Sequence, residues 1–119
     1  MIDINEVWRE ILDFNDKFFP GWREIDPVYY SNALAGEVGE VCGVTKKIAG
    51  GGTKQIRKSN QDLREECADV FIYLSLLLQS NQIGPEEFLQ DIILKIRKNT
   101  ARMDEKINSN LAERYTRSE

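Results

Sequence analysis

The placement of its helix breakers constrains this chain more than any other feature. The three prolines stand at positions 20, 27 and 85, and the remaining punctuation is glycine at 21, 50–52 and 84. The stretches between these points are long, and their apolar residues recur with the period of a helix. The spacing predicts four helices. The first runs from about Ile4 to Phe18, with Ile4, Val7, Trp8, Ile11, Leu12 and Phe18 on one stripe, and Pro20-Gly21 ends it. Asp26-Pro27 opens the second, an N-cap followed by proline at the first helical position. It reaches about Ile48 and stops at Gly50-Gly51-Gly52.

A basic, flexible loop with Lys54, Arg57 and Lys58 is expected next, and the third helix spans about Asn60 to Gln82. Its second half, Val70 to Leu78, is apolar nearly all round, which predicts burial on several sides. Pro85 starts the fourth helix, with Phe88, Leu89, Ile92, Ile96 and Met103 as its stripe. That helix is expected to end near Lys106, leaving residues 108–119 as a polar, frayed tail. The fold class that follows is all-α: one four-helix, bundle-like domain over residues 1–119.

Several chemistries are excluded. There is no histidine, which removes Ser-His and Cys-His catalysis, the usual zinc ligands and the Glu-x-x-His motif of di-iron bundles. Cys42 and Cys67 are too few for a disulfide framework and suit free thiols in a reducing cytoplasm. A net charge of −4 argues against binding a nucleic-acid polymer. The longest apolar run is too short to span a membrane, and the N-terminus does not read as a signal peptide, so a cytoplasmic location is expected.

Chemistry is left to carboxylates, and two pairs stand out. Glu37 and Glu40 are three apart on the second helix, and Glu66 and Asp69 are three apart on the third. That spacing puts each pair on one helix face. Both pairs are flanked by small or apolar residues, and Gly36 and Gly39 are expected to allow a close helix contact. Any one of these carboxylates is more often a solvated surface group, and Glu65, one position off the face, is read that way. Four carboxylates near a tight contact repel one another unless protonated, paired or metal-bound. An all-oxygen donor set points to Mg²⁺, Mn²⁺ or Ca²⁺, and Mg²⁺ characteristically takes its remaining ligands from water and substrate phosphates.

On the fourth helix Lys95, Asn99 and Arg102 share one face, either as a solvated cationic face or as contacts to phosphate and sugar. Lys46 and Lys47 are similar candidates, although both also suit the end of a helix. Trp8, Trp22, Tyr29 and Tyr30 are candidate platforms for a base, and each fits core or interface equally well.

Glu37-x-x-Glu40 with Glu66-x-x-Asp69, in the contexts Leu-Ala-Gly-Glu-Val-Gly-Glu-Val and Glu-Glu-Cys-Ala-Asp-Val-Phe-Ile-Tyr-Leu, resembles the MazG-like nucleotide pyrophosphohydrolases of the all-α NTP pyrophosphatase superfamily. The similarity covers about Tyr30 to Met103, and Lys95-x-x-x-Asn99-x-x-Arg102 looks like the family's substrate-contacting segment. The resemblance implies a house-cleaning hydrolase that cleaves a nucleoside triphosphate, often a deoxynucleotide, between the α and β phosphates. It implies Mg²⁺ (Mn²⁺ as substitute) on Glu37, Glu40, Glu66 and Asp69, substrate contacts from Lys95, Asn99 and Arg102, and a homodimer or homotetramer assembled through helices; Lys47, by its position, and Trp22, as an aromatic residue, are further substrate-binding candidates. One departure is Met103, where the family often has an aromatic residue. The alternatives are a relative acting on dUTP or phosphoribosyl-ATP and a non-catalytic helical dimerisation module.

Overall fold

The computed structural model describes residues 1–50 and 58–117. It is all-helical: α1 (Ile4–Phe18), a single 3₁₀ turn (Trp22–Glu24), α2 (Pro27–Ile48), α3 (Asn60–Ser80) and α4 (Pro85–Arg117). No strand occurs among the described residues. None of these helices is long and apolar enough to cross a membrane. Residues 51–57 fall outside the described residues, and with them the expected basic loop at Lys54 and Arg57.

Each helix start has a local cause. Asp3 accepts from the Glu6 amide at 2.9 Å at the head of α1, and Asp26 accepts from the Val28 amide at 3.0 Å ahead of Pro27. Ser59 and Asp62 close a reciprocal capping box on α3. Such caps satisfy amides that the first turn of a helix leaves without partners. The Ser59 backbone amide and side-chain hydroxyl both donate to the Asp62 carboxyl and push its pKa down.

The chain divides into two compact units, Met1–Pro85 and Glu86–Glu119. In the first, α2 packs along α3 and α1 also meets α3. Its core is Ile11, Trp22, Tyr30 and Leu76, with Val7, Leu12, Phe71, Ile72, Tyr73 and Leu77 packed against it. Three buried polar groups lock this core. The Trp8 indole N–H donates to Gln79 Oε1 at 2.9 Å. The Trp22 indole N–H donates to Asp16 Oδ1 at 2.7 Å, and the Tyr30 hydroxyl donates to the Trp22 carbonyl at 2.6 Å. The second half of α3 is half-buried or buried at every position from Val70 to Ser80, as its apolar character predicts.

Three expectations change. α4 runs on to Arg117, so residues 108–117 are helix and not a frayed tail. Phe18 does not join the inward stripe of α1: it is 56% exposed, with its ring 5.0 Å from that of Phe14. The glycines of α2 do not mark a close contact. A Cβ built at Gly36 or Gly39 meets nothing within 4 Å. Gly39→Ala is therefore expected to stabilise the protein by about 0.5–1 kcal/mol, because it restricts the unfolded chain and meets no clash. Urea denaturation measures this, and a loss of stability would restore the close-contact explanation.

Candidate metal and phosphate site

The antiparallel register of α2 and α3 is marked by a small apolar cavity of about 150 Å³ between Val38 and Val41 on one helix and Cys67 and Val70 on the other. On the neighbouring positions that register brings carboxylates together. One carboxylate oxygen from each of Glu37, Glu66 and Asp69 lies within 4.8 Å of the others. Glu37 and Glu66 are half-buried and Asp69 is exposed. Glu40 is exposed and does not belong to this close trio, although its charge still reaches Glu37. Glu65 is exposed too, 3.5 Å from the Gln61 amide nitrogen that donates to it, a solvated position.

Partial burial, the largest cause, and then the charges of Asp69, Glu66 and Glu40 push the Glu37 carboxyl above its ordinary pKa. The site therefore holds unrelieved negative charge. A hard divalent cation with oxygen ligands near 2.1 Å separates neighbouring ligand oxygens by about 3 Å and opposite ones by about 4.2 Å. The 4.8 Å limit on the trio is somewhat wider than those spacings. The trio's donors are all oxygen, and its charge is of the sign that a cation relieves.

The pH dependence follows from the same repulsion. With its folded-state pKa raised, Glu37 binds more protons in the native than in the unfolded protein. Its contribution to stability is then greatest below the ordinary carboxylate value of 4.5 and is lost as pH rises through the elevated folded-state value. In chelator, Glu37→Gln is expected to raise the melting temperature at neutral pH and to change it little at pH 4. A thermal scan at both pH values checks this, and a destabilised variant at pH 7 would remove the repulsion argument.

A wide groove opens beside the carboxylates. Its volume is about 870 Å³, and its wall includes Asp69, Tyr29, Tyr30 and Tyr73 together with the α1 residues Glu6 and Glu10. Tyr73 stands one turn after Asp69 on α3 and is half-buried. Burial first, then the neighbourhood of Tyr29, Glu37 and Asp69, pushes its phenol above the usual pKa. Its i+4 relation to Asp69 was the available sequence signal for this placement.

The aromatic candidates separate. Trp8, Trp22 and Tyr30 are core residues, 2%, 2% and 3% exposed, while Tyr29 is 56% exposed on the groove wall. Lys47 is half-buried in the last turn of α2, ten residues beyond Glu37 and so about 15 Å along the helix axis. The helix therefore does not bring Lys47 up to the carboxylates; Lys46 beside it is exposed. Lys95, Asn99 and Arg102 are exposed on α4, in the second unit, where the Arg102 guanidinium donates to Asn99 Oδ1 at 3.0 Å. Those three residues thus share one helix face, as their spacing predicts.

Comparison of the chain with models of known families, with curated proteins and with solved structures gives no match.

Proposed function

We propose that this chain is a Mg²⁺-dependent nucleoside triphosphate pyrophosphohydrolase of the MazG-like, house-cleaning kind, converting a (d)NTP to the monophosphate and pyrophosphate. The observation that carries the reading is the meeting of Glu37, Glu66 and Asp69, members of the two i, i+3 pairs, across α2 and α3 within 4.8 Å. The groove supports it, because Asp69 belongs to both the trio and the groove wall. A nucleotide could then place phosphates at one and its nucleoside at the other.

In this reading Glu37, Glu66 and Asp69 hold the ion, with Glu40 completing the set. Mg²⁺ supplies charge neutralisation and polarisation of phosphate oxygens. Glu37 or Glu40 orients a water and takes its proton as the water oxygen bonds to the α phosphorus. The bond from that phosphorus to the α–β bridging oxygen breaks, and pyrophosphate carries the electron pair away. The family resemblance alone assigns Lys95, Asn99 and Arg102 of α4 to phosphate and sugar, and the proposed assembly is a homodimer or homotetramer in the cytoplasm.

The test is a panel of nucleoside triphosphates incubated with the protein and Mg²⁺, with product analysis. Monophosphate and pyrophosphate in equal amounts are expected. Orthophosphate and diphosphate as products would overturn the bond assignment. No release from any member would favour a helical assembly module without chemistry.

A further inference from the structure

The groove beside the carboxylates is short of hydrogen-bond donors. The Trp22 indole N–H on its wall is spent on Asp16 at 2.7 Å, and one of the two Asn15 amide N–H bonds goes to the Ile11 carbonyl at 2.9 Å, in a side chain that is itself buried. The Tyr30 hydroxyl proton is spent on the Trp22 carbonyl at 2.6 Å. The hydroxyls of Tyr29 and Tyr73 can donate, but they accept equally well. Against these stand Glu6 and Glu10, one turn apart on α1 and both exposed. An ionised carboxylate only accepts. The rest of the wall is largely apolar, with the rings of Phe14, Phe19 and Tyr29 59% exposed or less but more than half open. A flat, apolar group with N–H bonds on its rim matches this wall.

We propose that Glu6 and Glu10 select the base. They favour nucleotides whose base carries an exocyclic amino group (cytosine, adenine and guanine) over uracil and thymine. This rests on the reading of the carboxylate trio as the phosphate end of the site, with the groove reached through Asp69. An amino group donates to a carboxylate. Uracil and thymine instead present two carbonyl oxygens flanking a single N–H, and those oxygens repel carboxylate oxygens. Hydrogen bonds to a charged group are the stronger kind, and losing one corresponds to roughly a tenfold or greater change in an equilibrium constant.

The test compares kcat/KM for dCTP, dATP, dUTP and dTTP, with ATP as a sugar control, using the full chain in Mg²⁺, and repeats the set with the double variant Glu6→Gln, Glu10→Gln. The wild type is expected to favour dCTP and dATP by roughly tenfold or more, chiefly through KM. In the variant the ratio is expected to fall toward unity, because a glutamine amide can donate to a carbonyl. Helix content measured by circular dichroism should not change. Equal kcat/KM on all four overturns the proposal, as does a ratio that the variant leaves intact. A variant that alters the preference between ATP and dATP, and not between bases, assigns the carboxylates to the sugar and also overturns it. Equilibrium dialysis of the four nucleotides in Mg²⁺ reads the same preference without turnover. An absence of hydrolysis thus counts against the preceding reading, while binding without base preference counts against this one.

Discussion

Glu66→Gln or Asp69→Asn is expected to lower turnover of nucleoside triphosphates by roughly 10²–10⁴-fold, the scale on which removing one charge-stabilising or proton-transferring group acts. The folded state should survive, and the reason is electrostatic. The two carboxylates repel Glu37, so neutralising either one removes an unfavourable interaction. In chelator the variants are therefore expected to melt no lower than the wild type. With Mg²⁺ present the order should reverse, because an ion that binds the native state stabilises it in proportion to its affinity, and the variants bind it less well. Loss of activity together with a lower melting temperature in chelator would point to a structural role. Full activity in either variant would remove the site assignment. Glu65→Gln is the control: Glu65 is exposed and outside the trio, and its replacement should leave turnover unchanged.

Trp22→Ala is expected to cost about 3–5 kcal/mol of stability, the range for truncating a large buried aromatic residue. A domain of ordinary stability has only about 5–15 kcal/mol in total, so the urea midpoint should fall by roughly 2 M. Trp22 is 2% exposed and meets the Tyr30 ring edge-on at 6.4 Å. The Arg23 guanidinium lies 4.4 Å from its centroid. Trp22→Phe separates volume from hydrogen bonding, since it keeps most of the ring and loses the N–H. The Trp22 N–H, ahead of Arg23, holds the Asp16 carboxyl below its usual pKa. A depressed folded-state pKa contributes stability above the unfolded value, and that contribution is lost as pH falls through the folded one. The stability difference between wild type and Trp22→Phe should accordingly shrink as pH is lowered through the carboxylate range. A difference that stays constant with pH would mean that Asp16 plays no part.

The helices were legible because their starts are local. Asp26-Pro27 and Pro85 set helical geometry within one turn, whatever the rest of the chain does. The far end of α4 was not legible. Asn108, Ser109 and Asn110 are weak helix formers, but each costs only about 0.5–0.7 kcal/mol, and Leu111, Ala112, Glu113 and Arg114 beyond them are strong ones. For the carboxylates, i, i+3 spacing gave two pairs but not the register of α2 against α3. That register brings Glu37 into the trio and leaves Glu40 outside it. Gly36 and Gly39 misled because a helical glycine has more than one cause, and open space beside the backbone is indistinguishable from a close neighbour in sequence. The groove was hidden for another reason: α1, the start of α2 and the middle of α3 each supply part of its wall, and no single segment bears its pattern. Trp8, Trp22 and Tyr30 are aromatic residues that the sequence could assign equally to core or to ligand, and burial places them in the core.

Both tryptophans of the chain, Trp8 and Trp22, belong to the Met1–Pro85 unit and are 2% exposed. They carry a built-in optical signal. Indole fluorescence moves to longer wavelength when water reaches the ring, so the emission spectrum follows the opening of that unit and is silent about α4. Far-UV circular dichroism, by contrast, weights every helical residue, and α4 with its 33 residues is the longest helix described. Superimposable transitions from the two signals would mean that the chain melts as one cooperative body. If ellipticity falls before the emission shifts, α4 unravels while the carboxylates on α2 and α3 keep their mutual distance. Two cuvette measurements on the unmodified chain thus show whether the carboxylate-bearing helices and the long helix share one unfolding event.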